Sequence, residues 1–148
     1  MEAIIFCGIQ ATGKSTFYRQ HFFNSHVRIS MDLLRTRHRE DLFLDACLKS
    51  YMPFVVDNTN PTLAERAKYI ALAKASRYRV KCYYFSSSLE AALERNSGRV
   101  GRELVPEKGV RSAYHRLAVP VRAEGYDEMY YITQENNQFI IKPWMDEV

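Results

Sequence analysis

Gly8-Ile9-Gln10-Ala11-Thr12-Gly13-Lys14-Ser15 follows directly on the apolar run Ala3-Ile4-Ile5-Phe6-Cys7, and G-x-x-x-x-G-K-[ST] at the end of a buried strand is a pattern suited to holding phosphate. A strand that ends in a glycine-bracketed loop turns successive backbone N–H groups inward, and the next helix points its positive end at the same anion. Gly8 and Gly13 let the backbone crowd the phosphates. Lys14 is expected to reach the β- and γ-phosphates as a point charge, and the Ser15 hydroxyl to ligate the accompanying Mg2+. Gln10, Ala11 and Thr12 complete the loop, and Thr16 extends the helix start. The expected ligand is ATP, or another nucleoside triphosphate, with Mg2+.

Two further constellations could serve the other half of a phosphoryl transfer. Asp32-Leu33-Leu34-Arg35 would put a carboxylate and a guanidinium three residues apart on one helix face, just after a second strand. In open α/β sheets, ligands gather at such carboxyl ends of strands. A carboxylate there can orient an acceptor hydroxyl and take its proton, which makes Asp32 the candidate base. Taken alone, the same spacing also describes a surface ion pair. Asp57 follows the apolar run Phe54-Val55-Val56, where an acid can support Mg2+ from behind its direct ligands. Asp57 or Asn58 could equally make a turn at a strand end.

The elements that must position these groups read as alternating strands and helices, giving one α/β domain over 1–148. Strands are expected at about 3–7, Val27–Ile29, Phe54–Val56, Val80–Phe85, Met129–Ile132 and Phe139–Ile141. The continuous apolar runs suit parallel strands covered on both faces. Helices are expected from the loop to Phe23, from Met31 to Ser50 behind an N-cap at Ser30, after Asn60-Pro61, after a Ser87/Glu90 capping box, and over about 106–118. Residues 98–106, with two glycines and two arginines, suit a mobile lid better than core.

At 148 residues the chain can bury one core without staples. It contains no apolar run of roughly 18 residues that would suit a membrane span, and no basic, long apolar N-terminus of the kind export uses. Three cysteines, Cys7, Cys47 and Cys82, lack C-x-x-C spacing and read as reduced core residues of a cytoplasmic protein. No histidine spacing suggests a zinc site. The net charge of +4 permits a polyanionic partner. Basic residues cluster at Arg35 to Arg39, Arg95 to Arg102 and Arg111 to Arg116; each alone could be a solvated helix face.

Val55-Val56-Asp57-Asn58-Thr59-Asn60-Pro61, followed by Arg66, Tyr69 and Ile70, resembles the V-[VI]-D-N-T-N-P segment of the polynucleotide 5′-hydroxyl kinases. The glycine-lysine-serine loop, D-x-x-R and D-N-T-N-P come in that family's order, and weaker similarity continues from Arg95-Asn96 through Glu124-Gly125-Tyr126. The resemblance implies a P-loop kinase three-layer sandwich, with a central, mostly parallel sheet, helices on both faces and a basic lid. It also implies Lys14 and Ser15 as triphosphate and metal contacts, Asp32 as general base on a 5′-OH, and Arg35 on the acceptor strand's phosphate. Asp57 becomes the essential acid after the third strand, and with Asn58 borders the acceptor. Arg99, then Arg102, match the lid arginine on the donor phosphates, whereas Arg95 is expected to pack on its own helix. The implied partner is the 5′-OH end of DNA or RNA. A kinase for a small-molecule or protein hydroxyl, and a nucleotide-dependent binding module without an acceptor, remain alternatives. A binding module would have no use for Asp32.

Overall fold

In the computed structural model, which describes residues 1–146, six strands form one sheet: β1 (Glu2–Cys7), β2 (Val27–Ile29), β3 (Phe54–Val56), β4 (Arg79–Phe85), β5 (Glu128–Glu135) and β6 (Gln138–Pro143). Their order is β2-β3-β1-β4-β5-β6. All neighbours run parallel except β5 and β6, which form an antiparallel hairpin. Six α-helices connect or flank them: α1 (Lys14–His21), α2 (Met31–Leu34), α3 (Arg37–Ser50), α4 (Leu63–Ala75), α5 (Leu89–Ser97) and α6 (Glu107–Arg116).

The period of two in a strand divides β1 between two cores. Ala3, Ile5 and Cys7 pack with Leu44 and Cys47 of α3 and Tyr69, Ile70 and Ala73 of α4. Ile4 and Phe6 face the opposite way, onto Phe17, Tyr18 and Phe22. Both faces of β1 are therefore dry, which explains its unbroken apolar run. A third, smaller cluster joins Ile9 of the loop to Ala92 of α5 and to Val110 and Ala113 of α6. The expected three-layer architecture is present. Cys7, Cys47 and Cys82 are free and buried, and among the described residues no helix is long and apolar enough to cross a membrane.

Four local expectations need correction. The single helix expected over 31–50 is two, because Arg35 takes φ 76° and the Thr36 N–H donates to the Leu34 carbonyl (3.0 Å). That i to i+2 bond with positive φ is a γ-turn, a rare and strained conformation. Thr36 then caps α3 by accepting from the Arg39 N–H, a local alternative that draws the backbone out of the helix. The second correction concerns α4, which is capped by Thr62, not Asn60. The Asn60 side chain is spent on the Phe6 carbonyl at 2.7 Å, tying the D-N-T-N-P segment to the end of β1. Third, α5 is capped by Ser88 accepting from Ala91, one residue beyond the expected Ser87. Fourth, β5 and β6 extend until only Asn136-Asn137 connect them. Both have positive φ, 52° and 60°, which asparagine tolerates and a tight hairpin requires.

Candidate active site

The glycine-lysine-serine loop joins β1 to α1 over the carboxyl ends of the parallel strands. Gly8 anchors its start through an N–H bond to the Thr59 carbonyl (3.0 Å), and a Cβ there would meet Phe85 at 2.9 Å. Gly13 ends the loop at φ 89°, a conformation that glycine adopts at no steric cost. A Cβ on it would collide with the Gln134 amide nitrogen and come within 2.7 Å of the Phe139 ring, so the β5–β6 hairpin braces the loop from behind. Gln134 also donates to the Thr12 carbonyl (3.4 Å). Ala11 sits at φ 61°, Gln10 buries an amide oxygen that has no partner among the described residues, and Thr16 accepts from Arg19.

Lys14 folds back into the loop. Its Nζ donates to the carbonyls of Gly8 (2.9 Å) and Ile9 (2.7 Å) and approaches the Thr12 hydroxyl at 3.5 Å. Burial draws the Lys14 ammonium down to about 8; Asp57 and Cys7 oppose this, Arg99 adds to it, and Asp32 opposes it. Asp32 and Arg99 are thus both close enough for their charges to be felt at the loop's lysine.

Ser15, at the start of α1, donates to Asp57 Oδ2 at 3.0 Å. Asp57 is held at the end of β3 with its side chain only 2% exposed, and its N–H bonds the Ile29 carbonyl at 2.8 Å. A cation not anticipated from the sequence completes this cluster. Arg28 Nε donates to Asp57 Oδ2 (2.8 Å) and Arg28 Nη2 to Ser15 Oγ (3.0 Å). The signal was present in Val27-Arg28-Ile29, where one charge interrupts a strand otherwise built for burial.

The donor set suits Mg2+. A hydroxyl and a carboxylate are hard oxygen ligands, and among the described residues no group of three or more His, Cys, Asp or Glu side chains could hold a metal alone. Phosphate oxygens and waters would have to fill the remaining positions, which is how Mg2+ is ordinarily bound beside a triphosphate.

On the other side of the site, Asp32 lies exposed on the single turn of α2. The Met31 N–H donates to Asn58 Oδ1 (2.9 Å), and Asn58 Nδ2 donates to Glu40 Oε2 (3.1 Å). Glu40 is fully buried and also accepts from Tyr69 and Arg37. Asn58 is therefore a strut for α2, with both ends of its amide bonded within the protein. Glu40, the buried anchor of that strut, was also missed by sequence reading. Arg35 does not share a helix face with Asp32, because the γ-turn carries it out of the helix. Its side chain is exposed.

The arginines expected on a lid divide. Arg99 donates to the Glu103 carbonyl (3.3 Å) and its charge reaches Lys14. Arg102 is exposed on the helical turn Gly101–Glu103. Arg95, expected to pack on its own helix, instead crosses to the Ala11 carbonyl and the Ser87 hydroxyl, each at 3.4 Å. Behind the site, fully buried Arg66 donates to Glu124 (2.8 and 3.2 Å) and to the Asn60 carbonyl (2.9 Å). This pins the D-N-T-N-P segment to residues far along the chain.

The chain is 28% identical, over 129 residues, to a bifunctional polynucleotide phosphatase/kinase of Schizosaccharomyces pombe, matching 84% of this chain and spanning about a third of that relative's length, 32%. Its fold is similar to Kti12 of Chaetomium thermophilum in complex with ADP-AlF3 (TM-score 0.69, 16% identity, 90% of both chains). It is also similar to a gluconokinase from Sinorhizobium meliloti 1021 (TM-score 0.63, 17% identity, 89% of this chain and 82% of the other). At such identities the two structures show the fold alone, a mostly parallel sheet between helical layers. The family model for the AAA domain, AAA_33, matches residues 4–120, and the chain belongs to that family.

Proposed function

We propose that this chain transfers the γ-phosphoryl group of ATP to the 5′-OH end of a nucleic-acid strand. The observation that carries the reading is the double use of one segment. Asp57 meets Ser15 on the donor side, and its neighbour Asn58 pins α2, and with it Asp32, on the acceptor side. That segment is also where the sequence resembles polynucleotide 5′-hydroxyl kinases, and a curated relative is a polynucleotide phosphatase/kinase.

In this reading the loop's N–H groups and Lys14 hold the β- and γ-phosphates. Lys14 leaves the Gly8 and Ile9 carbonyls to do so. Asp32 accepts the proton of the 5′-OH as its oxygen attacks the γ-phosphorus in line, and the bond to the bridging oxygen of ADP breaks. Arg99 offsets negative charge on the transferring group, with Arg102 the second choice. Ser15 and the donor phosphates would hold Mg2+, with Asp57 behind them; the metal, when bound, neutralises charge between the β- and γ-phosphates. Arg35 would take a phosphate of the acceptor strand, aided by a backbone bent to present it.

Fluorescence anisotropy with a labelled 5′-OH oligonucleotide tests the acceptor assignment. Binding is expected to weaken steeply with added salt, as counterion release requires, and to fall in Arg35→Ala. An absence of binding at low salt would reject a polymeric acceptor and favour a small-molecule hydroxyl.

A further inference from the structure

Arg28 is used by none of the steps above, yet it lies against the two oxygens on the metal side of the donor site. Its guanidinium spans Asp57 Oδ2 and Ser15 Oγ at 2.8 and 3.0 Å. The backbone beneath it is fixed, because β2 pairs with β3 in the register Arg28↔Val55. The side chain is 25% exposed, which leaves it a way out towards solvent.

We infer that Arg28 is a resident counter-ion that competes with the donor's divalent cation: without nucleotide it closes Ser15 onto Asp57, and binding of the metal–nucleotide requires it to release Ser15. The inference rests on the reading of this loop as a metal–nucleotide site. Ser15 Oγ has one proton, given to Asp57, and accepts from Arg28. A metal bound to the same oxygen would bring a second cation within hydrogen-bonding reach of the guanidinium. Lysine could relieve that repulsion by losing a proton. Arginine cannot, so relief has to come from movement. The Nε bond to Asp57 can persist while Nη2 leaves Ser15, because the two contacts use different nitrogens. A purely structural Arg28 would need only the Asp57 bond.

The test compares ADP affinity in Mg2+ and in EDTA by calorimetry. Releasing one charge-assisted hydrogen bond corresponds to about tenfold, so the EDTA-to-Mg2+ ratio of Kd values is expected to rise on the order of tenfold in Arg28→Gln. Arg28→Lys keeps the charge but not the rigid fork, and its ratio should fall between the two. A structural role alone would shift both affinities together and leave the ratio unchanged, which overturns the inference. The wild-type protein supplies a readout independent of how the variants fold. Its Arg28 Nη–H resonance, assigned by its loss in Arg28→Lys, should move on addition of Mg2+ and ADP but not of ADP with EDTA. A resonance that ignores the metal overturns the inference, whereas failure of ADP to bind under either condition overturns the nucleotide-site reading beneath it.

Discussion

Raising the pH should weaken nucleotide binding through Lys14 alone. Burial draws its ammonium down to about 8 in the free protein, while phosphate binding demands the charged form and holds the proton far above that value. With a free-state pKa of about 8, the apparent Kd scales as one plus ten to the power (pH − 8). Affinity therefore drops about tenfold, or about 1.4 kcal/mol, between pH 7 and pH 9. Calorimetry in buffers of different ionisation heat should detect uptake of about 0.9 proton per ADP bound at pH 9. Lys14→Arg, charged throughout, should show neither the slope nor the uptake. The sign for folding is opposite. Between about 8 and the ordinary lysine value of 10.5 the unfolded chain binds more protons than the folded one, so Lys14 makes the ligand-free protein more stable as pH rises through that window. A flat Kd from pH 7 to 9, or an equal slope in Lys14→Arg, would refute the reasoning.

Three other outcomes follow from the geometry. Arg66→Met leaves Glu124 buried without its cation and should cost about 3–5 kcal/mol in urea unfolding, with part regained in the double variant with Glu124→Gln; no loss would mean that the pair does not tie the D-N-T-N-P segment down. Gly13→Ala has to adopt φ 89° against the Phe139 ring and the Gln134 amide, so we expect lost nucleotide binding and a lower melting temperature; retention of both would show that the hairpin does not brace the loop. Because the Arg99 charge is felt at Lys14, Arg99→Ala should cut kcat about 10²-fold and Arg102→Ala only slightly, and steady-state kinetics showing the reverse would exchange their roles.

The loop and the sheet were legible in the sequence because their signals are local. A buried strand, two glycines, a lysine and a serine lie within thirteen residues, and unbroken apolar runs announce strands covered on both faces. What was not legible depends on residues distant in the chain. Arg28 acquires its meaning from Asp57, twenty-nine residues away, and Asn58 from the Met31 N–H it accepts. The D-x-x-R spacing suggested a shared helix face, but Thr36 capped its own helix and a γ-turn at Arg35 removed that face. With Ser87 and Ser88 adjacent, spacing alone could not choose between them. The structure uses one as the cap and the other as a partner of Arg95, whose reach across the loop no periodicity reveals.

Transfer of label to a strand end tests the central claim most directly. Wild-type protein and Asp32→Asn would be incubated with γ-labelled ATP, Mg2+ and matched oligonucleotides ending in 5′-OH or 5′-phosphate. The account predicts label on the 5′-OH strand only, its loss in Asp32→Asn, and ADP affinity in that variant close to wild type. No label on any 5′-OH strand, or full transfer by Asp32→Asn, would contradict it.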